Sequence, residues 1–116
     1  MIYYLTKDLM MASNVQAAAR RSQVELKIVP SVAKLLELAK ESPASRVLVD
    51  LQTPGLAAQS ISTLVEQLAE AQDDSAPVMG YAQHVHVDLM QAASDSGFAS
   101  VVTRGQMHHN AAEFLE

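Results

Sequence analysis

Five short aliphatic runs punctuate the chain, and each is followed by a longer stretch with helical spacing. Ile2–Leu5, Val24–Val29, Val47–Val49, Val78–Tyr81 and Val101–Thr103 read as strands. Several are apolar at consecutive positions, the pattern of strands covered on both faces. The intervening stretches repeat at a different period. Met11, Val15, Ala18 and Ala19 fall at i, i+4, i+7 and i+8. Val32, Leu35, Leu36 and Ala39 share one face after Pro30-Ser31, where Ser31 suits an N-cap. Ile61, Leu64, Val65 and Leu68 do the same after Pro54-Gly55. Leu89, Met90 and Ala93 precede Gly97, a natural residue just past a helix end. Met107, Ala111 and Phe114 predict a short last helix.

The order is strand then helix, five times. Strands joined by helical crossovers imply a parallel sheet with helices on both faces. A chain of 116 residues supports one core, so residues 1–116 are expected to form one α/β domain. A (βα)5 chain of this size suggests the flavodoxin-like strand order 2-1-3-4-5. The core must be aliphatic, because apolar residues make up 49% of the chain, aromatics only 4%, and Trp is absent. Gln72–Pro77 reads as a loop rather than a domain boundary, and Asp73-Asp74, Glu66 and Glu70 read as solvated acidic surface.

Several function classes are excluded or disfavoured. There is no cysteine, which removes disulfides, thiolate catalysis and cysteine-ligated zinc. The net charge is −5 and Arg20-Arg21 is the only adjacent basic pair, which argues against a nucleic-acid surface. No apolar run approaches the roughly 18–20 residues that cross a bilayer. MIYYLTKDLM lacks the basic start and long apolar stretch of a signal peptide, so no membrane association and a cytoplasmic location are expected. No Ser-His-Asp order, phosphate-binding loop or GxGxxG is present, so no enzymatic activity is expected.

Functional groups in open parallel sheets gather beyond the C-terminal strand ends, at the switch between strands one and three. RVLVDLQTPGL, residues 46–56, places Asp50 at the end of the third strand, just before a Pro-Gly turn.

VLVDLQTPGL resembles the phosphoacceptor stretch of response-regulator receiver domains, the CheY-like family. ASDSGFASVVTRG is similar to that family's run into its fifth strand, and Pro77-Val78-Met79 starts the fourth strand as the family does. The resemblance covers essentially the whole chain. It implies a bacterial two-component signalling module, with Asp50 in the phosphoacceptor position. The departures are specific. The family's acidic pair after the first strand, which holds Mg2+, is here Thr6-Lys7; Asp8 follows one step late, at the start of the first helix. The hydroxyl residue after the fourth strand falls on Ala82. The lysine after the fifth strand falls on Arg104, and the proline that follows it is Gly105. The aromatic switch residue falls on Val101.

Phosphoryl transfer spreads negative charge that a metal must neutralise. A lysine at position 7 opposes an octahedral Mg2+, so no cofactor is expected. The favoured reading is a degenerate pseudo-receiver that acts by protein–protein contacts. Asp50 is then expected to be a counter-ion of Lys7 or Arg104, with a depressed pKa, and its loss should destabilise the fold. One alternative is a divergent but phosphorylatable response regulator, with Asp50 accepting phosphate from a histidine kinase partner.

Another alternative is a histidine-based metal or small-ligand binder. His84-Val85-His86 and His108-His109 are expected on the loops after the fourth and fifth strands. His84 and His86 point the same way in an extended loop, which suits chelation. Adjacent His108 and His109 on a helix diverge by about 100°. Solvated polar residues are the favoured reading of both pairs. Val85, Val87 and Met107 are expected to be exposed beside the face of the fourth helix, fifth strand and fifth helix. Receivers use that face for partners and dimers, so a signalling protein partner or a homodimer is expected there.

Overall fold

The computed structural model describes residues 1–72 and 76–115. Asp73 and Asp74, with the centre of the loop assigned to Gln72–Pro77, lie outside the described residues. Five strands alternate with five helices: β1 Ile2–Leu5, α1 Leu9–Arg21, β2 Leu26–Val29, α2 Val32–Glu41, β3 Arg46–Asp50, α3 Ala58–Ala71, β4 Val78–Ala82, α4 Val87–Asp95, β5 Ser100–Thr103 and α5 Arg104–Leu115. They form one sheet of order β2-β1-β3-β4-β5, and every pairing is parallel. The expected α/β architecture and strand order are those observed.

The central strands explain the layering. β1 is buried along its length, and Val47, Leu48 and Val49 of β3 are fully buried. Successive side chains point to opposite faces. Tyr3, Leu5, Val47 and Val49 pack with Leu35, Ile61 and Leu64 on the face covered by α2, α3 and α4. Ile2, Tyr4 and Leu48 pack with Met11, Val15 and Met107 on the face covered by α1 and α5. Each such side chain contributes about 1.5–3 kcal/mol when fully buried, so these two cores dominate what holds the sheet together. The hydroxyls of Tyr4 and Tyr81 hydrogen-bond to each other inside the second core.

Local chemistry sets the helix boundaries. Asp8 Oδ1 accepts the Met11 N–H at 3.1 Å, and Ser31 Oγ accepts the Lys34 N–H at 3.2 Å. Gly97 follows the Ser96 C-cap of α4 with φ +96°, a conformation that favours glycine. β2 starts later than the aliphatic run at Val24 suggests. Past the Ser22 C-cap of α1 the chain turns at a left-handed Gln23, φ 58°, and the Val24 N–H bonds back to the Ala19 carbonyl at 2.9 Å. Val24 therefore belongs to the turn. Gly80 is required by packing: an added Cβ would lie 2.8 Å from Cε2 of Phe98.

Met107 departs from expectation. It is fully buried between α5, α1 and the sheet, so it is a core residue and not an exposed interface candidate. α5 begins directly at Arg104, which turns Met107, Ala111 and Leu115 inward together. The helix is irregular at Asn110, with φ −121° and ψ 27°. Nearby, the Asn14 side-chain amide donates to the His108 carbonyl at 3.2 Å, the kind of outside hydrogen bond that accompanies a helix distortion.

Candidate functional site

Four loops meet beyond the C-terminal ends of β1, β3, β4 and β5 and enclose a cavity of about 390 Å3. Asp50 closes its floor and is 7% exposed. Its Oδ2 accepts the Thr6 hydroxyl at 2.7 Å, and its Oδ1 accepts the Gln52 N–H at 3.0 Å. The Thr6 oxygen in turn accepts the Asp8 N–H at 3.0 Å. Thr6 therefore stands as a hydroxyl donor where the resemblance led one to look for an acid. Burial pushes the Asp50 carboxyl above its usual range; the Thr6 and Gln52 hydrogen bonds oppose that shift, the Asp8 charge adds to it, and Arg104 opposes it.

This corrects the expected ion pair at Asp50. Arg104 turns to Asp8 instead, with Nη2 at 2.6 Å and Nε at 3.2 Å from Oδ2. The Arg104 hydrogen bond holds the Asp8 carboxyl below its usual range. The physical reason is desolvation. Asp8 caps α1 at the partly exposed rim, beside α5, so a guanidinium reaches it without entering the floor of the cavity. Lys7 lines the same cavity with an exposed side chain, and among the described residues it forms no ion pair. The expected depressed pKa of Asp50 is thus overturned, and the cation that was to depress it lies on Asp8.

The remaining predicted positions divide. Ala82 is fully buried at the end of β4. Val101 is half-buried and packs against the α2–α3–α4 core, and Gly105 is exposed in the first turn of α5. Val85 and Val87 are 67% and 63% exposed, as expected. His84 precedes α4, and His86 is its N-cap residue. His108 and His109 lie within α5 and not on a loop, with rings edge to face at 5.4 Å. His84 and His108 both line a shallow groove that His86 does not line. Among the described residues, no three histidine or carboxylate side chains gather as a metal-ligand group. Sequence reasoning missed Gln52 and Gln83, which both line the cavity and are joined by a hydrogen bond from the Gln83 N–H to Gln52 Oε1 at 2.7 Å. Their proximity follows from β3 and β4 being neighbours, but nothing in a glutamine side chain signals it.

No protein-family model matches the chain, and no curated protein matches its sequence. Solved structures do match over nearly its full length. The inactive regulatory domain of the repressor of iron transport regulator, RitR, aligns with a TM-score of 0.79 at 14% identity, covering 97% of this chain and 88% of that one. The receiver domain of the response regulator Ssk1 from Saccharomyces cerevisiae, solved with the histidine phosphotransfer signaling protein Ypd1, gives a match of TM-score 0.77 at 11% identity, over 98% and 84%. The beryllofluoride-activated NtrC4 receiver domain dimer aligns at 0.72 and 13% identity, over 99% and 98%. The chain has the receiver-domain fold. Within that fold Asp50 keeps its place at the end of β3, while Thr6, Lys7 and Arg104, three of the departures from the receiver pattern, lie around it.

A carboxyl raised by burial makes stability depend on pH. A carboxyl whose folded pKa lies above the unfolded value, near 3.9, contributes stability that is full below that value and lost as pH rises through the folded one. Asp50→Asn is expected to unfold at higher urea than wild type at pH 7, with the advantage shrinking as pH falls toward about 4. A variant less stable at pH 7, with the gap closing only in acid, would mean that a cation holds Asp50 after all.

Proposed function

We propose that this chain is a receiver-like signalling module of two-component type that works through protein contacts, without Mg2+-dependent phosphorylation of Asp50. The supporting observation is how its two carboxylates are occupied. Asp8 Oδ1 caps α1 and Oδ2 holds Arg104. Both Asp50 oxygens accept hydrogen bonds from the protein. Mg2+ demands near-octahedral oxygen ligands, and this donor set, with Lys7 at its rim, does not fit one. No group follows β4 that could donate a hydroxyl to a phosphoryl oxygen, because Ala82 stands there. The module is therefore neither an enzyme nor a metal protein in this reading.

One observation keeps a second reading in view. Asp50 itself stands at the strand end where receivers accept phosphate, so a divergent phosphoacceptor served by a histidine kinase is the alternative. The two separate directly. Incubation with acetyl phosphate is expected to leave the intact mass unchanged, with or without Mg2+. An added phosphoryl group that is absent in Asp50→Asn would overturn the first reading and establish the second.

The partner surface in this proposal is the face of α4, β5 and α5. Val85 and Val87 are exposed at its edge, and all four residues of β5 are only half-buried. The solved structures that match include a complex with a phosphotransfer protein and a dimer, which supports a protein partner or a second copy in general; its placement on this face is part of the proposal. The charge of −5 disfavours nucleic acid. Among the described residues no helix is long and apolar enough to cross a membrane; a cytoplasmic setting is part of the proposal. If two copies meet on this face, Val87→Glu is expected to shift sedimentation toward monomer; an unchanged dimer would place the interface elsewhere.

A further inference from the structure

Among the described residues, side-chain hydrogen bonds tie together the loops at this end of the sheet. Thr6 joins the β1–α1 connection to Asp50, and Arg104 joins the start of α5 to Asp8. Thr53 reaches from the β3–α3 loop to the Leu5 carbonyl at 3.5 Å. Gln52 makes a further tie: its Oε1 accepts the Gln83 N–H at 2.7 Å. The ladder explains why a side chain is needed there. The Leu51 N–H donates to the Tyr81 carbonyl at 2.9 Å. In a regular parallel pair the next donor along β4 is the Gln83 N–H. By then β3 has turned away: the Thr53 N–H and hydroxyl both close on the Asp50 carbonyl, at 3.0 and 2.7 Å. The Gln52 side chain supplies the acceptor that the backbone no longer offers.

Gln83 is also where the approach to α4 begins. Its carbonyl accepts the His86 N–H at 2.9 Å, and His86 is an N-cap residue with no side-chain capping bond. α4 buries only Ala93 completely, with Leu89 and Met90 half-buried against the core; Gln83, His84, Val85 and Val87 before and at its start are exposed, so core packing does little to orient them. Val85 and Val87 follow within four residues of the tie.

We infer that Gln52 is a positioning residue that fixes the β4–α4 loop, and with it the Val85–Val87 surface, in one orientation with no group attached to Asp50. The inference rests on the reading above, in which nothing is transferred to Asp50, and it adds a means by which the module stays in one state. The contact between the β3–α3 and β4–α4 loops is made by the protein's own atoms. The partner surface is thereby preset and does not await a signal at the cavity.

The test is amide hydrogen exchange and chemical-shift mapping by NMR on the full chain and two variants. Gln52→Met keeps the side-chain length and removes the acceptor; Gln52→Glu keeps an acceptor oxygen. In Gln52→Met the Gln83 amide is expected to exchange about tenfold faster or more, because a lost hydrogen bond opens the site locally. Resonances of residues 84–88 should shift or broaden, and the Leu51 amide should keep its wild-type exchange. Gln52→Glu should restore the Gln83 rate. Wild-type exchange at Gln83 in Gln52→Met would overturn the inference. So would equal acceleration at Leu51, which marks general destabilisation, or a failure of Gln52→Glu to rescue. Phosphorylation of the wild-type chain by acetyl phosphate would defeat the functional reading alone, because the Gln83 exchange rates are measured without any phosphodonor.

Discussion

Asp50 ends a strand whose Val47, Leu48 and Val49 are fully buried, and its own side chain is almost closed off from water. A carboxylate in that position needs either a cation within reach or donors that share its charge. Here the donors are a hydroxyl from Thr6 and a backbone N–H from Gln52. The arrangement of the surrounding loops follows from that choice. Thr6 is drawn to Asp50, the Asp8 N–H then closes on Thr6, and Asp8 is set as the cap of α1. Arg104 is left to pair at the rim, where water remains close to both partners.

The energies at this end of the sheet are small compared with those beneath it. The Asp8–Arg104 pair is partly exposed, and such pairs typically contribute about 0–1 kcal/mol. The Asp8 cap contributes typically about 1 kcal/mol. The two aliphatic cores hold the fold, so the cavity residues are free to set geometry. That division separates the cavity from the core: Thr6 and Lys7 set the chemistry above the sheet, while Leu5, Val49 and Leu48 pack within it.

The strand–helix alternation showed the fold class and strand order, because period and connection length are local properties of the chain. Ser31 and Gly97 showed helix boundaries for the same reason. The place of Asp50 was readable from RVLVDLQTPGL, where an aliphatic run meets a Pro-Gly turn. The partner of Arg104 was not, since choosing between Asp8 and Asp50 depends on the depth of each carboxylate, which only the packed sheet determines. Met107 was misplaced because the facing of α5 depends on its start at Arg104 and its packing on α1. The Gln52–Gln83 contact left no trace in the sequence, because it joins two loops that are 31 residues apart.

The cavity holds a shielded carboxylate, Asp50, and an arginine-paired one, Asp8; in the proposed function neither binds Mg2+. The most direct measurement is a carboxyl 13C NMR titration of Asp8 and Asp50, repeated with millimolar Mg2+. Asp8 is expected to titrate below the ordinary aspartate value and Asp50 above it, with neither moved by the metal. Saturable Mg2+-dependent shifts at both carboxyls, or an Asp50 that titrates below the ordinary value, would contradict it.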